Sequence, residues 1–142
     1  MNPRQCFCDN PEMEPHDTDG NDLPPEHSMN LNEYQDRART TAIYRRECAR
    51  LNIPNFVYSG LGLAGEAGEV SNKLKKIIRD DGGELTSERR GALLAELGGV
   101  LWYVAMVADD LGLPLDEVAG ANLAALASRA ERGTVSGSGD VR

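Results

Sequence analysis

Leu93-Leu94-Ala95-Glu96-Leu97-Gly98-Gly99-Val100-Leu101-Trp102-Tyr103-Val104-Ala105-Met106-Val107-Ala108-Asp109-Asp110-Leu111 is the stretch that decides the fold class. Leu93, Leu97, Val100, Leu101, Val104, Ala108 and Leu111 recur at intervals of three and four, the spacing of one face of an α-helix, and predict a buried stripe. Thr86 or Ser87 supplies the start and Gly112 a natural stop, so a helix is predicted from there to Leu111.

Three further helices flank it. Upstream, residues 55–79 read as one helix that Asp80-Asp81-Gly82-Gly83 ends. Its first half holds Gly60, Gly62, Gly65 and Gly68. Each weakens a helix by about 1 kcal/mol relative to Ala, and the bare backbone permits close approach by another helix or a ligand. Its second half turns Val70, Leu74 and Ile77 inward and carries Lys73, Lys75 and Lys76. Before it, Asn32 with Gln35 three residues on resembles a capping box and predicts a single helix from Asn32 to about Leu51, with Tyr34, Ala38, Ala42 and Tyr44 inside. Asn52-Ile53-Pro54 ends that helix. Downstream, Pro114 suits a first turn, and Asp116 and Glu117 there complement the helix dipole. Leu115, Val118, Asn122, Leu123, Leu126 and Ala130 form the inner face, and Gly133 stops the helix. Four antiparallel helices joined by short links make an all-α four-helix bundle. Aromatic residues at 5% of the chain and the rarity of β-branched runs argue against a β-sandwich.

The chain has 142 residues, enough for one domain. Its net charge of −8 argues against a nucleic-acid-binding surface. The charge is uneven: residues 1–30 carry seven acids and one base, a net −6, which leaves −2 for the remainder. Residues 1–29 are rich in Pro, Asp, Glu and Asn and poor in aliphatics, and are expected to be a disordered acidic tail preceding the helical domain at 30–142. Cys6-x-Cys8 with His16 and His27 fits no common zinc spacing and lacks hydrophobic support. Three cysteines and no secretion signal point to a reducing cytoplasm. No run approaches ~18 consecutive apolar residues, so no membrane span is expected.

The chemistry lies in acids beside the apolar stripes, where an ionised group requires a partner. Glu66 and Glu69 stand three apart in Gly-Leu-Ala-Gly-Glu-Ala-Gly-Glu, and so face the same way about one turn along. Glu66, Glu69 and Lys73 repeat at i, i+3, i+7, and Glu96, Gly99 and Tyr103 follow the same spacing on the next helix. If these faces meet, three carboxylates, a lysine and a phenol converge. Carboxylate oxygens hold Mg²⁺, the ion that bridges phosphates and lowers the pKa of a bound water. Lys73 can pair with a phosphate and Tyr103 can donate to one.

The sequence resembles the MazG-like all-α nucleoside triphosphate pyrophosphohydrolases. The resemblance runs through Gly-Leu-Ala-Gly-Glu-Ala-Gly-Glu-Val, Glu-Leu-Gly-x-Val-Leu-Trp-Tyr-Val-Ala, Leu-Gly-Leu-Pro-Leu-Asp-Glu-Val-Ala, Asn-Leu-Ala-x-Leu and Arg-Gly-Thr-Val-Ser-Gly-Ser-Gly-Asp-Val-Arg, over about residues 31–142. It implies a helical bundle that assembles into a homodimer or homotetramer. It also implies cleavage of a nucleoside triphosphate to the monophosphate and pyrophosphate with Mg²⁺ or Mn²⁺. By position, Glu66, Glu69 and Glu96 match three of the family's four metal ligands, and Gly99 stands where the fourth is normally Asp. Asn122 matches an Asn associated with substrate binding, Ala125 replaces a usual Lys, and Asn72 stands where an acid is common. The alternative expectation, favoured by Gly99 and Ala125, is a catalytically silent helical protein that binds nucleotides or a protein partner.

Overall fold

The computed structural model describes residues 29–133; the expected acidic tail, its Cys6, Cys8, His16 and His27, and the Gly/Ser-rich end lie outside them. Five helices follow one another: α1 (Leu31–Arg39), α2 (Tyr44–Leu51), α3 (Asn55–Asp80), α4 (Ser87–Asp110) and α5 (Leu115–Glu131). The described residues contain no strand, and the all-α class holds.

The expected first helix is two. Asn30, not Asn32, is the cap, its side chain accepting from the Glu33 amide at 2.8 Å. The chain breaks at Thr40-Thr41, where the two hydroxyls donate to the Arg37 and Ala38 carbonyls at 2.7 and 2.8 Å and compete with the helical ladder. Trp102 Nε1 holds the break from α4 by donating to Thr41 Oγ1 at 2.8 Å. The other boundaries fall where the sequence puts them. Asn52 leaves α2 in the left-handed region at φ 55°, a conformation its short polar side chain tolerates. Thr86 caps α4, and Gly112 and Gly133 follow α4 and α5 at positive φ.

α3 and α4 form an antiparallel hairpin, closed by a six-residue link that Arg89 pins by donating from Nε to Asp81 at 2.6 Å. α1 packs on α4, α2 on α3, and α5 touches only α1 and α4. The core sits at the end of the hairpin near the α4 C-terminus. Tyr44, Cys48, Ala38, Ala105, Met106, Ala108 and Leu115 are buried there, with Tyr34, Trp102, Val104 and Val118 around them. Tyr44 stacks on Tyr58 with centroids 4.7 Å apart and meets Trp102 edge-on.

The predicted inner stripes are only partly buried. On α4, Ala108 is buried, Leu93, Val100 and Val104 are half-buried, and Leu97, Leu101 and Leu111 are exposed. On α3, Ile77 is buried and Leu74 exposed; on α5, Leu115 is buried while Asn122, Leu123, Leu126 and Ala130 are exposed. α4 is touched by α1, α3 and α5 alone among the described helices, and among the described residues none covers the side chains of Leu94, Leu97 and Leu101. α4 is also long and apolar enough to cross a membrane by length and composition, with mean hydropathy 1.7. Glu96 interrupts its apolar run, so the helix contains no ~18 consecutive apolar residues.

Candidate functional site

The hairpin seam is set by two glycines. At Gly62 the Tyr103 ring lies against bare backbone; a Cβ there would stand 2.7 Å from Tyr103 Cδ1. One turn along, Gly99 admits the Glu66 side chain from the facing helix, and a Cβ there would lie 2.7 Å from the Glu66 carboxyl carbon. Further along, Lys73 Nζ faces Glu96 Oε1 at 3.3 Å, both side chains about three-quarters covered. Tyr103, Glu66, Glu96 and Lys73 therefore line one seam between α3 and α4, in the antiparallel order that the i, i+3, i+7 spacing requires.

The electrostatics follow from that packing. Burial first, then the neighbouring Tyr58 and the negative charge of Glu66, push the Tyr103 phenol above its ordinary value. It keeps its proton at neutral pH and remains a donor. Glu66 has the space that a fourth carboxylate would occupy, and Lys73 supplies Glu96 with the positive charge a buried acid needs.

Two predicted residues are exposed. Glu69 is on α3 but exposed. Asn122 is exposed on α5, which makes no contact with α3. Among the described residues no three His, Cys, Asp or Glu side chains are grouped closely enough to hold a metal ion by themselves. The donor set still fits a hard cation. Mg²⁺ keeps several waters and is commonly held by one or two carboxylates together with substrate phosphates. Glu66 and Glu96 in the seam offer that pair, with Glu69 one turn from Glu66.

A second cluster escaped the sequence reading. Asp110, with no side-chain exposure, accepts from Tyr44 Oη at 2.6 Å, Ser59 Oγ at 2.8 Å and Arg45 at 2.7 Å. Asp109 accepts from Arg39 at 2.5 Å and also from Arg45. Burial pushes Asp109 up, but the hydrogen bonds from Arg39 and Arg45 outweigh it and hold the carboxyl below the usual range. Burial and the bond to Asp110 push Tyr44 up to about 12. The cluster clamps α1, α2, α3 and α4 together at the core end. The available signal was Asp109-Asp110 directly after the buried Ala105–Ala108 turn, which places charge where α4 still packs. Gln35, whose spacing from Asn32 resembles a capping box, is instead a buried bridge from α1 to the α4–α5 link.

Two clefts lie elsewhere. One of about 350 Å³ is lined by residues including Asp36, Arg39 and Asp109, and one of about 170 Å³ is apolar and lined by Cys48, Leu51, Ile53 and Tyr58 among others. Neither shares a residue with the seam.

The chain is similar to the Gene 37 protein of Mycobacterium phage L5, with 47% identity over 114 residues that cover 80% of this chain and all of that protein. No family model matches the sequence, and no solved structure matches it.

Proposed function

The chain belongs to the family of the Mycobacterium phage L5 Gene 37 protein, and we propose that it is a Mg²⁺-dependent nucleotide pyrophosphohydrolase, cleaving a nucleoside or deoxynucleoside triphosphate to the monophosphate and pyrophosphate. The observation that carries the reading is the seam itself: Glu66, Glu96, Lys73 and Tyr103 line one junction of two facing helices, at the positions where the sequence resembles the MazG-like enzymes. Kinship with a phage protein leaves the chemistry to be argued from these residues.

Glu66 and Glu96, with Glu69 beside them, are the residues to hold Mg²⁺ or Mn²⁺; a cation bound there neutralises phosphate oxygens and acidifies a water. One of these carboxylates accepts the proton of the attacking water. Lys73 leaves Glu96 to pair with a phosphate oxygen, a short movement for a flexible side chain. The Tyr103 phenol, proton-bearing at neutral pH, donates to another. By the resemblance Asn122 also grips the nucleotide, from α5, which does not touch α3. The protein works in the cytoplasm as a homodimer or homotetramer, without nucleic acid or membrane as partner.

The second reading, a catalytically silent helical protein that binds nucleotides or a protein partner, is favoured by one specific observation. Glu66 fills the place of the missing fourth carboxylate and Lys73 already pairs with Glu96, so the seam balances its charges without a metal. Pyrophosphate release from a panel of NTPs and dNTPs, with Mg²⁺ or Mn²⁺, separates the two. Turnover by the wild type that Glu66→Gln and Glu96→Gln abolish supports the enzyme. An inert wild type that Gly99→Asp activates identifies a decayed enzyme. If wild type and Gly99→Asp both stay inert while a nucleotide binds, the binding reading replaces it.

A further inference from the structure

The seam keeps a strict register, and Lys73 steps out of it. Gly62 lies against Tyr103, and four residues on along α3 Glu66 lies against Gly99, four residues back along α4. Three residues further in the same directions come Glu69 and Glu96, so the antiparallel step sets these two carboxylates level with each other. They share no partner. Glu69 is exposed, and among the described residues no cation pairs with it. Glu96 is taken by Lys73, which stands one turn beyond Glu69 and brings its Nζ to 3.3 Å from Glu96 Oε1. Side chains on a helix lean towards its N-terminus, so Lys73 reaches back over the turn that carries Glu69. The ammonium thereby serves Glu96 at the level where Glu69 and Glu96 face each other.

A carboxylate held by an ammonium is a poor ligand for a divalent cation. The two positive ions repel each other twice as strongly as two unit charges do, a penalty of at least about tenfold in affinity at roughly 4 Å even in bulk water. In the seam both side chains are about three-quarters covered, where screening is weaker and the penalty larger. Lysine is also suited to give way. Its charge is a point on a flexible four-carbon stem, and a phosphate oxygen attracts it as a carboxylate does. Once the ammonium has moved, Glu96 is a largely covered acid without a partner, a state that a cation bound by Glu69 and Glu96 rebalances.

We infer that Lys73 is a built-in counter-ion that bars a divalent cation from Glu96 in the free protein and yields to a phosphate group, so that cation and nucleotide enter together. The yielding to a nucleotide rests on the pyrophosphohydrolase reading. The exclusion of the cation does not, and its test uses the metal alone.

The test is Mn²⁺ binding to the full chain without nucleotide, read from the electron paramagnetic resonance signal of free Mn²⁺. Lys73→Met is expected to bind Mn²⁺ at least about tenfold more tightly than the wild type. Lys73→Gln is expected to do the same, and replaces it should Lys73→Met lose its helical circular dichroism. Lys73→Arg keeps the charge and is expected to stay within about twofold of the wild type. Lys75→Met removes an exposed positive charge on the same helix and is expected to leave the affinity unchanged. Adding Glu69→Gln or Glu96→Gln to Lys73→Met is expected to take the gain away. A wild type that binds Mn²⁺ as tightly as Lys73→Met overturns the inference, as does a folded Lys73→Met that binds none. An equal gain from Lys75→Met also overturns it, because the effect is then one of net charge and not of the pair with Glu96. A gain that survives Glu96→Gln does so too. If Lys73→Met gains as expected while the wild type neither hydrolyses nor binds any nucleoside triphosphate, the exclusion stands and the pyrophosphohydrolase reading falls.

Discussion

Gly62→Ala tests the seam at its tightest point. In a helix interior, Ala is better than Gly by about 1 kcal/mol through backbone entropy alone. Gly65, three residues away on the same helix, would meet nothing within 4 Å, so Gly65→Ala should show that gain in full. At Gly62 the added methyl would stand 2.7 Å from Tyr103 Cδ1 and must displace the ring. The ring is held edge-on against Trp102 at 4.8 Å and has little freedom to yield. Forcing a methyl into such a contact costs ~1–3 kcal/mol. Gly62→Ala should therefore fall between neutral and about 2 kcal/mol destabilising, leaving the two variants ~1–3 kcal/mol apart. For a folded unit of this size that separates their Tm values by roughly 5–20 °C. Urea and thermal unfolding followed by circular dichroism measure it, with the two proteins at one concentration. Equal stabilisation by both substitutions would refute the packing of Tyr103 on bare α3 backbone, and with it the register that puts Glu66 opposite Gly99.

Three other perturbations have defined outcomes. Gln35→Leu should cost about 2–4 kcal/mol in chemical denaturation, because it leaves the Leu113 and Ala105 carbonyls and the Leu115 amide without their buried partner; a change under half a unit would mean the α4–α5 link does not depend on it. Asp110→Ala should destabilise by ~3–5 kcal/mol, since Tyr44, Ser59 and Arg45 all lose a fully buried acceptor, and a neutral result would contradict the clamp. The depressed Asp109 carboxyl sets a pH dependence: its stabilisation is complete above its unfolded value near pH ~4 and is lost as pH falls through the lower folded value. Acid unfolding of Asp109→Asn should lack that component, and wild-type and variant stabilities that run parallel below pH ~4 would argue against it.

Much of the fold was legible because helix signals are local. The helix over the Leu93–Leu111 segment, the Thr86 cap, and the Gly112 and Gly133 stops depend on residues within a few positions of one another, and each falls where the pattern places it, although Leu97, Leu101 and Leu111 of the predicted buried stripe are exposed. The break at Thr40-Thr41 is not legible in the sequence because it depends on hydroxyls finding the Arg37 and Ala38 carbonyls and on Trp102, 61 residues on, finding Thr41. The candidate site was legible as spacing: Glu66, Lys73, Glu96 and Tyr103 were singled out by an i, i+3, i+7 register that two facing helices must share. Glu69 fits the same spacing yet is exposed, and Asn122, singled out by the resemblance alone, rides on a helix that never touches α3.

By itself, then, the sequence determined the helical class, most helix ends and the line of charged residues along two helices, since all of these follow from backbone periodicity and nearest-neighbour chemistry. Only the tertiary structure decided which apolar stripes find a cover, where Asp109 and Asp110 are neutralised, and that α5 departs from the hairpin instead of closing over it. Those outcomes turn on long-range contacts such as the Gln35 bridge, whose donors and acceptors lie seventy or more positions away along the chain and are indistinguishable in the sequence from any other buried amide and carbonyl.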